Sequence, residues 1–75
     1  MREKIIEILN SIKKNVDFEN AEAIIDDGLL ESFDIIRLTT RLADEFDVEF
    51  TAAELVPENF NTVDAITEMI EELAE

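Results

Sequence analysis

A chain of 75 residues with twenty acidic and six basic side chains, a formal net charge of −14 and neither Cys nor His allows one small domain, residues 1–75. It excludes structural zinc sites, disulfide staples and any catalysis built on imidazole or thiol, because the required side chains are missing. Such a surface repels nucleic acid and steers basic partners toward it, while a 47% hydrophobic content is too high for a disordered acidic tail.

The first helix is predicted from about Arg2 to Asn15. Ile5, Ile8, Leu9, Ile12 and Val16 follow the i, i+3, i+4, i+7 spacing of a single buried stripe. Glu7 and Asn10 interrupt the stretch, so it reads as neither signal peptide nor membrane span, and a cytoplasmic protein without membrane insertion is expected. A long connection, Val16 to Glu31, comes next. Loops of that length in compact domains are functional or pinned by their own side chains, and Phe18, Ile24, Ile25, Leu29 and Leu30 can do the pinning. Gly28 is free to turn sharply.

The second helix is predicted from Ser32 or Phe33 to Phe46, with Ile35, Leu38, Leu42 and Phe46 as its buried stripe. Phe33, Ile36 and Thr40 lie toward its flank, Arg37 and Arg41 share another face, and Asp34 in the first turn suits the positive end of the helix dipole. Thr51 to Glu54 has the pattern of a capping box and starts a short third helix, with Phe50 able to staple onto Leu55 and Pro57 limiting it. Asn61 or Thr62 caps a fourth helix that runs to the end. Its apolar stripe is Val63, Ile66, Met69, Ile70 and Leu73, and its solvated face carries Asp64, Glu68, Glu71 and Glu72. The expected fold is all-α: a four-helix bundle of three longer helices and one short one, with a long loop between helices 1 and 2.

Chemistry has few places to reside. Twenty carboxylates make any acidic pair unspecific, and a serine nucleophile would lack a base beside it, so the chain is not expected to be an enzyme. An EF-hand loop with Gly28 as its sixth residue would put Ala23 first and Ile25 third, where acids are needed, and Asp34 in place of the twelfth-position Glu. No metal site follows. Ser32 remains. At a helix start it can simply cap, worth about 1 kcal/mol. Its setting suggests more: Gly28, Leu29 and Leu30 shape the approach, and large apolar Phe33 follows it in the first turn. A phosphate on the hydroxyl would also meet the anion-favouring end of a helix.

At these residues the chain resembles the acyl carrier protein family, the small four-helix phosphopantetheine carriers. Glu31-Ser32-Phe33 is similar to the family's Asp-Ser-Leu (or Asp-Ser-Phe/Met) at the start of its second helix. The likeness continues through Leu38, Leu42, Asp44-Glu45-Phe46 and Val48-Glu49-Phe50 to Phe60-Asn61-Thr62-Val63, which looks like the family's aromatic-x-Thr lead into the last helix. It spans essentially the whole chain, in order. Glu31 keeps the charge of the usual Asp on a longer arm.

The resemblance implies that Ser32 receives 4′-phosphopantetheine from coenzyme A through a phosphopantetheinyl transferase. The arm's thiol then holds an acyl or aminoacyl group as a thioester, in fatty acid, polyketide or peptide biosynthesis. A chain without Cys can carry a thioester only on such a borrowed thiol. Further partners would be an acyl- or aminoacyl-loading enzyme and downstream transferases with basic docking surfaces, acting on a monomer. Glu31, Phe33, Asp34, Ile36, Arg37 and Thr40 are the expected recognition residues, with Asp44 and Glu45 nearby. For Phe33 and Ile36, plain core packing is the competing expectation. The string Gly28 to Phe33 also looks like D-alanyl carrier proteins of cell-envelope modification. From a different class, an unmodified acidic helical adaptor for basic proteins fits the composition.

Overall fold

A computed structural model describes residues 1–74 and contains three α-helices, α1 (Arg2–Ile12), α2 (Ser32–Phe46) and α3 (Val63–Ala74), with one 3-10 turn at Pro57–Asn59. There is no strand among the described residues. α1 packs against both α2 and α3, and the 3-10 turn leans on α3. The core follows the predicted stripes: Ile5, Ile8 and Leu9 of α1 meet Leu38 and Leu42 of α2 and Val63, Ile66, Met69 and Ile70 of α3. Apolar residues repeating every three or four positions form helices here because only that spacing puts them all on the shared side. No helix among the described residues is long and apolar enough to cross a membrane.

The long connection is pinned as expected, since Phe18, Ile24 and Leu30 are buried in the same core and Ile25 and Leu29 pack against it. Residues 24–28 make a turn that closes like a helix end. The Leu29 N–H donates to the Ile24 carbonyl at 2.9 Å and the Gly28 N–H to the Ile25 carbonyl at 3.0 Å, the paired bonds of a Schellman motif. Gly28 has φ 71, the left-handed backbone that such an ending requires and that glycine adopts without steric cost.

One predicted boundary moves and one predicted helix is missing. α1 ends at Ile12 rather than Asn15: Lys13 is already extended (φ −136, ψ 118), and Asn15 sits at φ 66, a conformation its short amide side chain tolerates. The short helix expected from Thr51 is absent. Glu54 reaches back as in a capping box, its Oε1 accepting the Thr51 N–H at 2.7 Å and the Thr51 hydroxyl at 2.8 Å, but only a turn follows. The reason is Pro57. Its ring holds the preceding Val56 extended (φ −121, ψ 149), which stops propagation, and Pro57 itself opens the 3-10 turn, where its missing N–H costs nothing. Phe50 packs against the core, whereas Leu55, expected to staple onto it, stays 50% exposed.

The fourth predicted helix is α3, and of its two candidate caps Thr62 does the capping, accepting the Ala65 N–H on Oγ1 at 2.9 Å. The predicted end at Glu75 lies outside the described residues. Arg2 fastens the start of α1 to α3 and to the connection, through Asp64 at 2.9 Å and Glu19 at 3.4 Å.

Candidate functional site

The start of α2 decides whether Ser32 is a cap or a displayed hydroxyl. Glu31, not Ser32, is the N-cap: its backbone is extended (φ −91, ψ 169) and Ser32 is the first helical residue. The Glu31 N–H donates to Asp34 Oδ2 at 3.1 Å, so one of the unpaired donors at the helix end is met from within the first turn. Ser32 is exposed, and its hydroxyl makes no hydrogen bond among the described residues. It is the free oxygen at the positive end of a 15-residue helix.

Asp34 takes a different position from the one expected of a recognition residue. It is buried, with a fractional exposure of 8%, and its Oδ2 also faces the Lys13 ammonium at 3.7 Å. A carboxylate removed from water needs such partners, and they turn it inward. Phe33 and Ile36 go the other way, at 68% and 60% exposed, which removes core packing as the explanation for either. Phe33, Ile36, Arg37 and Thr40 stand at i, i+3, i+4 and i+7 on α2 and are all exposed, so they form one stripe. Glu31 is exposed beside it, and Asp44 continues it at the far end.

Along that stripe the polar groups differ in what they do. The Thr40 hydroxyl donates to the Ile36 carbonyl at 2.9 Å, satisfying itself on its own helix. The Arg37 guanidinium has no carboxylate within ion-pair distance among the described residues. Arg41, one turn on, leans back to α1 and donates to the Ser11 hydroxyl, which itself donates to the Ile8 carbonyl at 2.6 Å. The two arginines therefore do not act as a pair.

On the other flank of α2 an apolar cleft of about 110 Å³ opens, lined by Ile25, Ile35, Leu55, Val56, Pro57 and Phe60. Ile35 is one helical turn from Ser32. Groups of three or more acidic side chains arranged to hold a metal ion are absent among the described residues. Two residues have roles that the sequence does not signal. Lys13 shows only as one of two cations ending a helix, and nothing there signals its contact with Asp34. Asn61 reads as a cap, yet its side chain reaches back to the 24–28 turn. Compared with protein-family models and with curated proteins, the chain finds no match in either.

Proposed function

We propose that the protein is a carrier whose Ser32 accepts a phosphopantetheine arm and which presents acyl or aminoacyl groups on that arm as thioesters. The observation that carries the reading is the state of Ser32: exposed, helical, without a hydrogen-bonding partner among the described residues, and relieved of capping by Glu31 and Asp34. A serine kept only as a cap would be the N-cap. In the modification, the Ser32 oxygen forms a bond to the phosphorus next to pantetheine in coenzyme A. The bond from that phosphorus to the oxygen of the leaving adenosine bisphosphate breaks, and the serine proton passes to a base on the transferase. The new phosphodiester would sit at the α2 N-terminus, where helix dipole and free N–H groups favour an anion. Tethering then raises the cargo's local concentration at each partner enzyme. The 3-10 turn at Pro57–Asn59 stands in chain order where carriers of the resembled family have their short third helix, which is compatible with the reading. On this reading the protein works in the cytoplasm, with the α2 stripe of Phe33, Ile36, Arg37 and Thr40 as its docking surface.

The test is direct. The purified chain is incubated with coenzyme A and a broad-specificity phosphopantetheinyl transferase, and the intact mass is recorded. One added phosphopantetheinyl group is expected, and none on Ser32→Ala. No gain with several transferases that modify a control carrier would reject the reading in favour of an unmodified acidic adaptor, and a gain that survives Ser32→Ala would move the site elsewhere.

A further inference from the structure

We propose that Asp34 and Lys13 form a latch that holds the start of α2 one residue ahead of Ser32 and so keeps the Ser32 hydroxyl out of the helix cap. Two registers compete at this junction. Serine is among the best N-caps, and glutamate is not among the favoured ones. By cap preference alone α2 would begin at Phe33 with Ser32 as its N-cap and the hydroxyl turned onto the helix end. The structure has the other register, with Glu31 extended and Ser32 helical.

Asp34 is what favours it. A side-chain acceptor three residues after the N-cap can take the N-cap's own N–H, and Asp34 Oδ2 does so from Glu31 at 3.1 Å. In the competing register that position falls to Ile35, which has no acceptor. Asp34 is also the one buried charged residue among the described residues, so its carboxylate stays there only if it is compensated. Lys13 compensates it at 3.7 Å. The geometry comes from the early end of α1: Lys13 leaves the helix extended, its N–H closing on the Leu9 carbonyl at 3.0 Å, and its side chain crosses to α2. The end of one helix thereby sets the start of the next. Asp34 and Lys13 are positioning residues in this scheme, acting on Ser32 through the helix start.

The structural half of the latch stands by itself, while its effect on modification rests on the carrier reading. Two measurements on the full chain separate them. Carbon chemical shifts of Ser32 report its backbone: helical in the wild type, moving toward extended values in Asp34→Ala while Phe33 stays helical. Initial rates of arm transfer from coenzyme A, with the same transferase throughout, should fall about fivefold in Asp34→Ala, the factor that one helix cap imposes on a two-state equilibrium. Lys13→Met should move both readouts the same way by less. Asp34→Glu restores an acceptor of the type preferred at that position and should recover both. Helical Ser32 shifts in Asp34→Ala would overturn the latch. Shifted Ser32 with a wild-type rate would overturn its positioning role. If Asp34→Ala does not fold, Lys13→Met decides alone, and unchanged shifts there overturn the pairing. If no transferase modifies the wild type, the carrier reading fails and the Ser32 shifts still decide the latch.

Discussion

Asn61 holds Ile25 across 36 residues of sequence: its Oδ1 accepts the Ile25 N–H at 2.9 Å and the Asp26 N–H at 3.2 Å. The same residue accepts the Ile24 N–H on its carbonyl at 2.8 Å and donates from Nδ2 to Asp26 Oδ2 at 3.1 Å. One asparagine thus satisfies three consecutive amides of the connection that leads to Ser32. Asn61→Ala strands two of them, and a partly buried amide left unpaired costs ~1–3 kcal/mol. A loss of about 2 kcal/mol in chemical denaturation is expected. Amide exchange should quicken first at Ile25 and Asp26, before α1 or α3 responds. Uniform quickening across the molecule would mean that Asn61 serves the core and not the turn.

Asp47 ends α2 in the left-handed conformation, at φ 54 and ψ 52, with the Val48 N–H closing on the Ala43 carbonyl at 3.2 Å. Two penalties coincide there. A residue with a Cβ pays to be left-handed, and a carboxylate lies at the negative end of the helix dipole. Asp47→Gly removes both and should stabilise the protein by about 1 kcal/mol. In a domain of this size that is a rise of roughly 4–8 °C in melting temperature. A lower melting temperature would show that Asp47 has a compensating partner.

The three long helices were legible in the sequence because their apolar residues repeat with the helical period, and Ser32 stood out because a turn and two leucines lead into it. What escaped depended on contacts between distant residues. Asp34 looks like a first-turn surface acid until Lys13 and the fold bury it. The end of α1 could not be read from Lys13-Lys14-Asn15, since the backbone leaves the helix where Lys13 crosses to Asp34. Asn61 and Thr62 are equivalent caps on paper, and only the proximity of the 24–28 turn assigns them separate tasks. At Thr51 to Pro57 two local signals conflict. Half of the capping box forms, with Glu54 reaching back to the Thr51 N–H, and the proline still prevails, because it restricts the backbone of Val56 directly whereas a cap only satisfies a donor.

Residues 51–75 contain seven acidic side chains and no basic one, and the molecule measures 31 × 22 × 20 Å. At about 0.01 M salt the screening length is ~30 Å, so like charges repel across the whole molecule; at ~0.15 M it is about 8 Å and only neighbours count. Sodium chloride over this range should raise the melting temperature. Replacing Glu68, Glu71 and Glu72 of α3 with Gln should raise the low-salt value and flatten the dependence. A melting temperature indifferent to salt in the wild type would mean that repulsion within the folded state is not what limits its stability.

Glu54 gives an acid-range signature of its own. Its carboxylate accepts the Thr51 backbone N–H and then the Thr51 hydroxyl, and these bonds, the backbone one foremost, hold its pKa below the ordinary glutamate value. A group with a lowered folded pKa binds its proton more readily when unfolded. Its stabilising contribution is therefore complete above the unfolded pKa and disappears as the pH falls through the folded one. Acid also neutralises the surrounding carboxylates and relieves their repulsion, which acts in the opposite direction, so the wild-type curve alone cannot isolate Glu54. The difference between wild type and Glu54→Gln can, because both proteins share the background. That difference should favour the wild type at neutral pH, hold steady down to the glutamate range, and close below it. A gap that persists unchanged into strong acid would show that the side chain contributes through packing and not through its charge.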